Sequence, residues 1–158
     1  MAELQPREEL GLWYLSRAYA QLNEAERYFS LFRYPESVIC AYESIEFSVK
    51  AMCKLLDVEY SRKEHFLNAP TLVKLAEKIG QRWPDKKNEL LSALPIVLGY
   101  TEELRNICRY GIDKEGIPPV SPDDIFRKDH CEKVLKDANQ ICDLLHHVDM
   151  GRRWRSDK

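Results

Sequence analysis

Glycine is scarce in this chain, six in 158 residues, and no two of the six fall in a run that would cradle a phosphate. The Gly-rich loop of the common nucleotide hydrolases is therefore missing, as are a paired Cys-x-x-Cys and a His-Glu-x-x-His. An excess of positive charge is missing too. With 24 Lys+Arg against 26 Asp+Glu and a net charge of -2, no global basic field draws nucleic acid indiscriminately, so any phosphate binding has to be local. No apolar run approaches the ~18 residues of a membrane span, and the opening MAELQPREEL has no apolar core of a leader. Together these absences point to a soluble, cytoplasmic protein with no membrane partner. Strand-like alternation of apolar and polar residues is absent as well.

Five cysteines are present, Cys40, Cys53, Cys108, Cys131 and Cys142. Their odd number, wide spacing and apolar neighbours read as reduced core thiols, not a disulfide frame. His146 and His147 are adjacent, so on a helix they point to different sides; near a helix C-terminus they read as surface histidines, and no metal is expected. No cofactor is expected either.

What the sequence does have is helical periodicity. Leu15, Ala18, Leu22, Ala25, Phe29 and Phe32 predict one long helix from about Arg7 to Phe32. Pro35 suits the first turn of a second, whose stripe of Val38, Ala41, Tyr42, Ile45, Val49, Met52, Cys53 and Leu56 runs to about Asp57. Asn68-Ala69-Pro70-Thr71 restarts a shorter helix over about 71–80. A fourth is expected over about 85–110, bent between Pro95 and Gly99 because an interior proline removes a ladder bond. Gly116-Ile117-Pro118-Pro119-Val120 reads as a linker, and Ser121-Pro122-Asp123-Asp124 as the strong start of a last helix ending near His147. The fold class is all-α: an antiparallel helical bundle of four long helices plus one short helix, a single domain over 1–150, with a basic 151–158 tail expected to be disordered. Arg152, Arg153, Arg155 and Trp154 in that tail are of a type that touches RNA, although a solvated terminus needs no ligand.

Two stretches carry candidate chemistry. In the second helix Glu43, Glu46 and Lys50 form a polar ridge, with Glu46 and Lys50 spaced i,i+4 in the favourable order; a surface ion pair is the plain reading. The other is Glu103-Leu104-Arg105-Asn106-Ile107-Cys108-Arg109-Tyr110-Gly111. Basic residues before a glycine end many helices. Here, however, Arg105 and Arg109 present two guanidinium forks one turn apart, with Asn106 and Tyr110 on the adjoining face, which a cap does not require.

The order of a long helix, AYESIEFSVKAMCKLLDVEY, EHFLNAPTLVKLAEKI, LRNICRYGID and a last helix resembles the HEPN domain, the small all-helical module of prokaryotic defence and toxin–antitoxin systems. Glu46 and Lys50 in SIEFSVKAMCKLL, followed by Asp57-Val58-Glu59-Tyr60 and His65, carry the match most clearly. The resemblance implies a homodimer that binds RNA or a nucleotide and acts with a minimal nucleotidyltransferase. HEPN ribonucleases hold in their dimer cleft an Arg, a polar residue and then a His, the Arg on the phosphate and the His helping to activate the 2'-hydroxyl. Arg105 and Asn106 match that start; the His position falls on Tyr110, Gly111 or Ile112, none of them an imidazole. A tyrosine phenol titrates at about 10, too high to exchange protons at neutrality as imidazole does, which tells against metal-free cleavage. Phosphate binding at Arg105, Arg109, Asn106, Glu46 and Lys50 is the expected function. The alternatives are a ribonuclease toxin using Arg105, Asn106 and Tyr110, and a helical adaptor with no ligand.

Overall fold

The computed structural model of the chain describes residues 6–60 and 68–156, apart from the side chains of Leu94 and of 152–156. The helices are α1 (Pro6–Ser30), α2 (Tyr34–Leu55), α3 (Ala69–Arg82), α4 (Lys87–Ser92), α5 (Leu94–Gly99), α6 (Glu102–Tyr110), α7 (Pro122–Ile125) and α8 (Lys128–Ser156), with a 3-10 turn at Pro84–Lys86. Among the described residues the only β pairing is a single bridge between Ile112 and Val120. His65, one of the residues carrying the resemblance, lies outside the described residues.

The central element is α2, packed by α1 on one side and α8 on another, with α5, α6 and α7 against it as well. Its stripe behaves as the periodicity requires: Val38, Ala41, Ile45, Val49 and Met52 are all buried. They meet Val134, Ala138, Ile141, Leu145 and Val148 of α8 in one continuous core, which Leu72, Leu75 and Ile79 of α3 join.

The α1–α2 pairing has a finer device. Gly11, Ala18 and Ala25 recur every seven residues on α1 and are all buried, so the two helices approach closely. Ser37 and Ser44 recur at the same step on α2. Ser37 Oγ donates to the Ala25 carbonyl at 2.6 Å and Ser44 Oγ to the Ala18 carbonyl at 2.8 Å. Farther along, a Cβ at Gly11 would stand 3.1 Å from Leu55 Cδ2. Since the Ser44 proton is spent on Ala18, the Cys142 thiol, 3.3 Å away, is the donor in that contact and ties in α8. All five cysteines are free and four are buried, consistent with packing thiols.

Both helices close the same way. Arg33 N–H reaches back to the Tyr28 carbonyl at 2.9 Å and Val58 N–H to the Cys53 carbonyl at 2.8 Å. Phe32 and Asp57 therefore take positive φ, 60° and 59°, where a glycine is the usual occupant. Asn68 caps α3 by accepting from Thr71 N–H at 2.9 Å.

Three expectations are corrected. The fourth helix is not one bent rod but three pieces, α4, α5 and α6. Pro95, without an N–H, can only open a new helix, and beyond Gly99 the chain turns extended at Tyr100 (ψ 96°) and Thr101 (ψ 165°) before restarting. The four long helices are consequently three, with α3 intermediate. The last helix starts later and ends later: Phe126, buried and extended, separates the one-turn α7 from α8. The backbone of α8 then continues past His147 to Ser156, so residues 151–156 of the expected disordered tail are helical, and 157–158 lie outside the described residues.

Candidate functional site

Glu43 is where α1, α2 and α6 come together. Its Oε2 accepts from Gln21 Nε2 of α1 at 2.7 Å, and its Oε1 lies 3.9 Å from Arg105 Nη2 of α6. The small-residue register sets the first contact, since Gln21 stands three residues beyond Ala18 and Glu43 one before Ser44. The second is too long for a hydrogen bond. Burial raises the Glu43 carboxyl above its ordinary 4.5; the attraction of Arg105, then of Arg109, pulls the other way but does not overcome it. Arg17 of α1 adds a weaker attraction of the same kind.

Arg105 is only partly satisfied. Its side chain is 37% exposed, the Glu43 carboxylate lies 3.9 Å away, and its Nε is buried with no hydrogen-bond partner among the described residues. Such a fork keeps donor capacity for an oxyanion. One turn on, Arg109 is exposed.

Local chemistry explains why α6 stands where it does. Thr101 Oγ1 accepts from Leu104 N–H at 3.2 Å and fixes the start. Just before it the Tyr100 ring, buried, stacks on Tyr42 of α2 with centroids 5.1 Å apart and planes 5° from parallel. Burial, and secondarily Glu43, pushes the Tyr100 phenol well above its ordinary range. At the far end Gly111 adopts φ 76°, and the Ile112–Val120 bridge holds the exit. Between the two anchors Cys108 faces the core and burial pushes its thiol up to about 12, so it is an inert packing group.

The sequence-predicted residues divide into two flanks. Arg105 and Arg109 turn toward Glu43. Asn106 and Tyr110 line a separate shallow groove with Glu102, Glu103, Ile107 and the 111–114 segment, and Tyr110 is 75% exposed. Glu46 and Lys50 are not a solvated surface pair: they meet at 2.7 Å with side chains 15% and 11% exposed. Glu46 raises Glu43 through its charge. Lys50 is drawn toward α1, its Nζ 6.0 Å above the Tyr14 ring. His147 is half-buried against Trp83, with ring centroids 5.1 Å apart, and lies mid-helix instead of at a solvated end. No cluster of metal-ligating side chains occurs among the described residues.

Gln21, Arg17 and Tyr100 were not singled out in the sequence. The first two had a signal, polar residues one turn apart beside the apolar stripe of α1. Tyr100 had none, because it was read as helix interior.

The matching family model is that of the HEPN domain, over residues 12–148. The chain belongs to the HEPN family. That span takes in α1 from its second turn through most of α8, so Glu43, Arg105 and Arg109 all lie inside the matched region. No match was found among curated proteins or among solved structures. HEPN membership supports a general nucleotide- or RNA-related role, and HEPN domains commonly dimerise. Among the described residues no helix is long and apolar enough to cross a membrane.

The sign of the Glu43 shift gives a test of its environment. With the folded value raised, the folded state holds the proton more tightly; stability from this group is greatest below the unfolded value and declines as pH rises toward the folded one. Glu43→Gln keeps an acceptor for Gln21 and removes the buried charge. It should be more stable than wild type in urea unfolding at pH 7, with the gain fading toward pH 4.5. A variant less stable at pH 7 would mean that Arg105 and Arg109 outweigh burial.

Proposed function

We propose that this HEPN protein binds the phosphate of a nucleotide or RNA between Arg105 and Arg109, as a homodimer acting with a minimal nucleotidyltransferase. The observation that carries the reading is the Arg105 fork: a partly exposed guanidinium whose buried Nε has no partner among the described residues, with a carboxylate held just out of hydrogen-bond range. Glu43 keeps the arginine in place without neutralising it fully. An arriving phosphate forms charge-assisted hydrogen bonds that Glu43 does not supply, and Arg109 adds a second cation one turn away. Glu46 and Lys50 border the pair as a neutral, mutually satisfied couple. Among the described residues, the groups gathered around Arg105 are carboxylates, guanidiniums and an amide, with no imidazole, which supports binding over cleavage.

Arg105→Ala should weaken binding of a single-stranded RNA oligomer by roughly ten- to a hundredfold, the loss of one charge-assisted contact of about 1.5–3 kcal/mol, with little change in the urea midpoint. Fluorescence anisotropy and urea unfolding measure the two. Rapid cleavage of the oligomer in EDTA, abolished by Tyr110→Phe, would replace this reading with a ribonuclease. Unfolding by Arg105→Ala with affinity intact would make the arginine structural.

A further inference from the structure

Two turns of α1 before Gln21 lies a cluster that phosphate binding does not use. Trp13, Tyr14 and Phe47 form a compact aromatic group across α1 and α2. Tyr14 stacks on Phe47 with centroids 6.0 Å apart, and Trp13 meets the edges of both, 5.2 Å from Tyr14 and 6.4 Å from Phe47. Cations brace the group: the Arg17 guanidinium lies 5.6 Å from the Phe47 centroid and Lys50 Nζ 6.0 Å from that of Tyr14. Tyr14 and Phe47 are half-buried, whereas Trp13 remains 54% exposed. A large ring left open to solvent while its neighbours fix its orientation is unusual for residues that serve only the core.

We infer that Trp13, backed by Tyr14 and Phe47 and flanked by Arg17, is a stacking platform for a base of single-stranded RNA whose phosphate is held at Arg105. The inference rests on the phosphate reading above. Three observations support it. The platform and the phosphate site share one face: Arg17 contacts Phe47, and its charge reaches Glu43, which stands beside Arg105. Eight residues separate Trp13 from Gln21, a rise of about 12 Å, so the ligand has to extend beyond one phosphate. The local charge also favours a polyanion, since Lys50 bonds Glu46 while Arg17, Arg105 and Arg109 all act on the one carboxylate of Glu43. Rings set beside cations are how proteins hold single strands without reading sequence, because every base has a π face.

The test uses the full chain and two probes of equal length and charge, an oligouridine and its abasic counterpart, with Trp13→Ala, Trp13→Phe and Arg105→Ala. Trp13→Ala should weaken oligouridine binding by about five- to a hundredfold and leave abasic binding unchanged, while Trp13→Phe keeps most of the affinity. Arg105→Ala should weaken both probes. Equal effects of Trp13→Ala on the two probes, or none on either, overturn the platform while leaving the phosphate reading intact. Loss with Trp13→Ala but not with Arg105→Ala overturns the phosphate reading alone. If Trp13→Ala instead turns a sedimenting dimer into a monomer, the ring is a contact between copies and the platform is refuted. Circular dichroism of each variant separates these outcomes from loss of fold.

Discussion

Gly111→Ala should cost the protein about 2–6 kcal/mol and remove phosphate binding with it. Two costs combine at this residue. Its backbone, φ 76° and ψ -158°, lies in a region essentially reserved for glycine, worth about 1–3 kcal/mol to any other residue. The added Cβ would also fall 2.0 Å from the Val120 carbonyl oxygen and 3.0 Å from Pro122 Cδ. Neither neighbour is the free end of a flexible side chain, so the pinch between Ile112 and Val120 has to open, at a further ~1–3 kcal/mol. The exit of α6 then loses its anchor, and Arg109 and Tyr110 are in its last turn. Gly116→Ala is the internal control: φ is 83° there too, but a Cβ would meet nothing within 4 Å, so only the backbone cost of about 1 kcal/mol applies. Urea unfolding and RNA anisotropy on the two variants should separate clearly. Equal, small losses would mean that the 111–120 segment does not hold the end of α6.

The comparison of these two glycines shows what could be read from the sequence. That a glycine ends α6 was legible, since Gly follows a basic last turn in many helices. That the same glycine is pressed against Val120 was not, because a contact across nine residues leaves no periodic trace. The helices themselves followed from their apolar stripes, and α2 most cleanly, because it is buried by partners on several sides and so has little freedom in what its inner positions hold. The break at Tyr100 and Thr101 escaped notice for the opposite reason. Leu94, Val97, Leu104 and Ile107 keep apolar character across the gap, so periodicity joins what the backbone separates. Thr101 as an N-cap, two residues after a glycine, was the local signal that periodicity overrode.

At the candidate site, spacing singled out the arginines but not what holds them. Arg105 and Arg109 on one flank and Asn106 and Tyr110 on the other follow from 3.6 residues per turn, and the structure keeps that division. The carboxylate that faces Arg105 is another matter. Glu43 belonged to a predicted ridge with Glu46 and Lys50, yet it contacts α1 and α6 while Lys50 bonds Glu46. Side chains four apart on one helix are neighbours by geometry; which of them a second helix claims depends on how closely that helix approaches. Here that distance is set by residues with almost no side chain.

Ala18→Leu is expected to have the other large effect, and it acts on the fold and the site at once. Ala18 is fully buried where α1 meets α2, and its carbonyl accepts the Ser44 hydroxyl at 2.8 Å. A leucine has no room there without pushing the helices apart, and overpacking of a close-packed interior typically costs about 1–3 kcal/mol, occasionally more. Separation also stretches the Ser44 bond, worth about 1 kcal/mol, and frees the Cys142 contact behind it. The functional consequence follows from the register. Gln21 is one turn beyond Ala18, and its 2.7 Å bond to Glu43 depends on the same close approach. Once Glu43 is released from Gln21, its carboxylate can move onto the Arg105 fork and compete with phosphate. The variant should therefore lose both urea stability and RNA affinity, whereas Leu22→Ala, at a half-buried position next to Gln21, should lower stability and leave affinity near wild type. Adding Glu43→Gln to Ala18→Leu should restore affinity without restoring stability. If the double variant binds no better than Ala18→Leu alone, the close helix pairing serves the core and not the arginine.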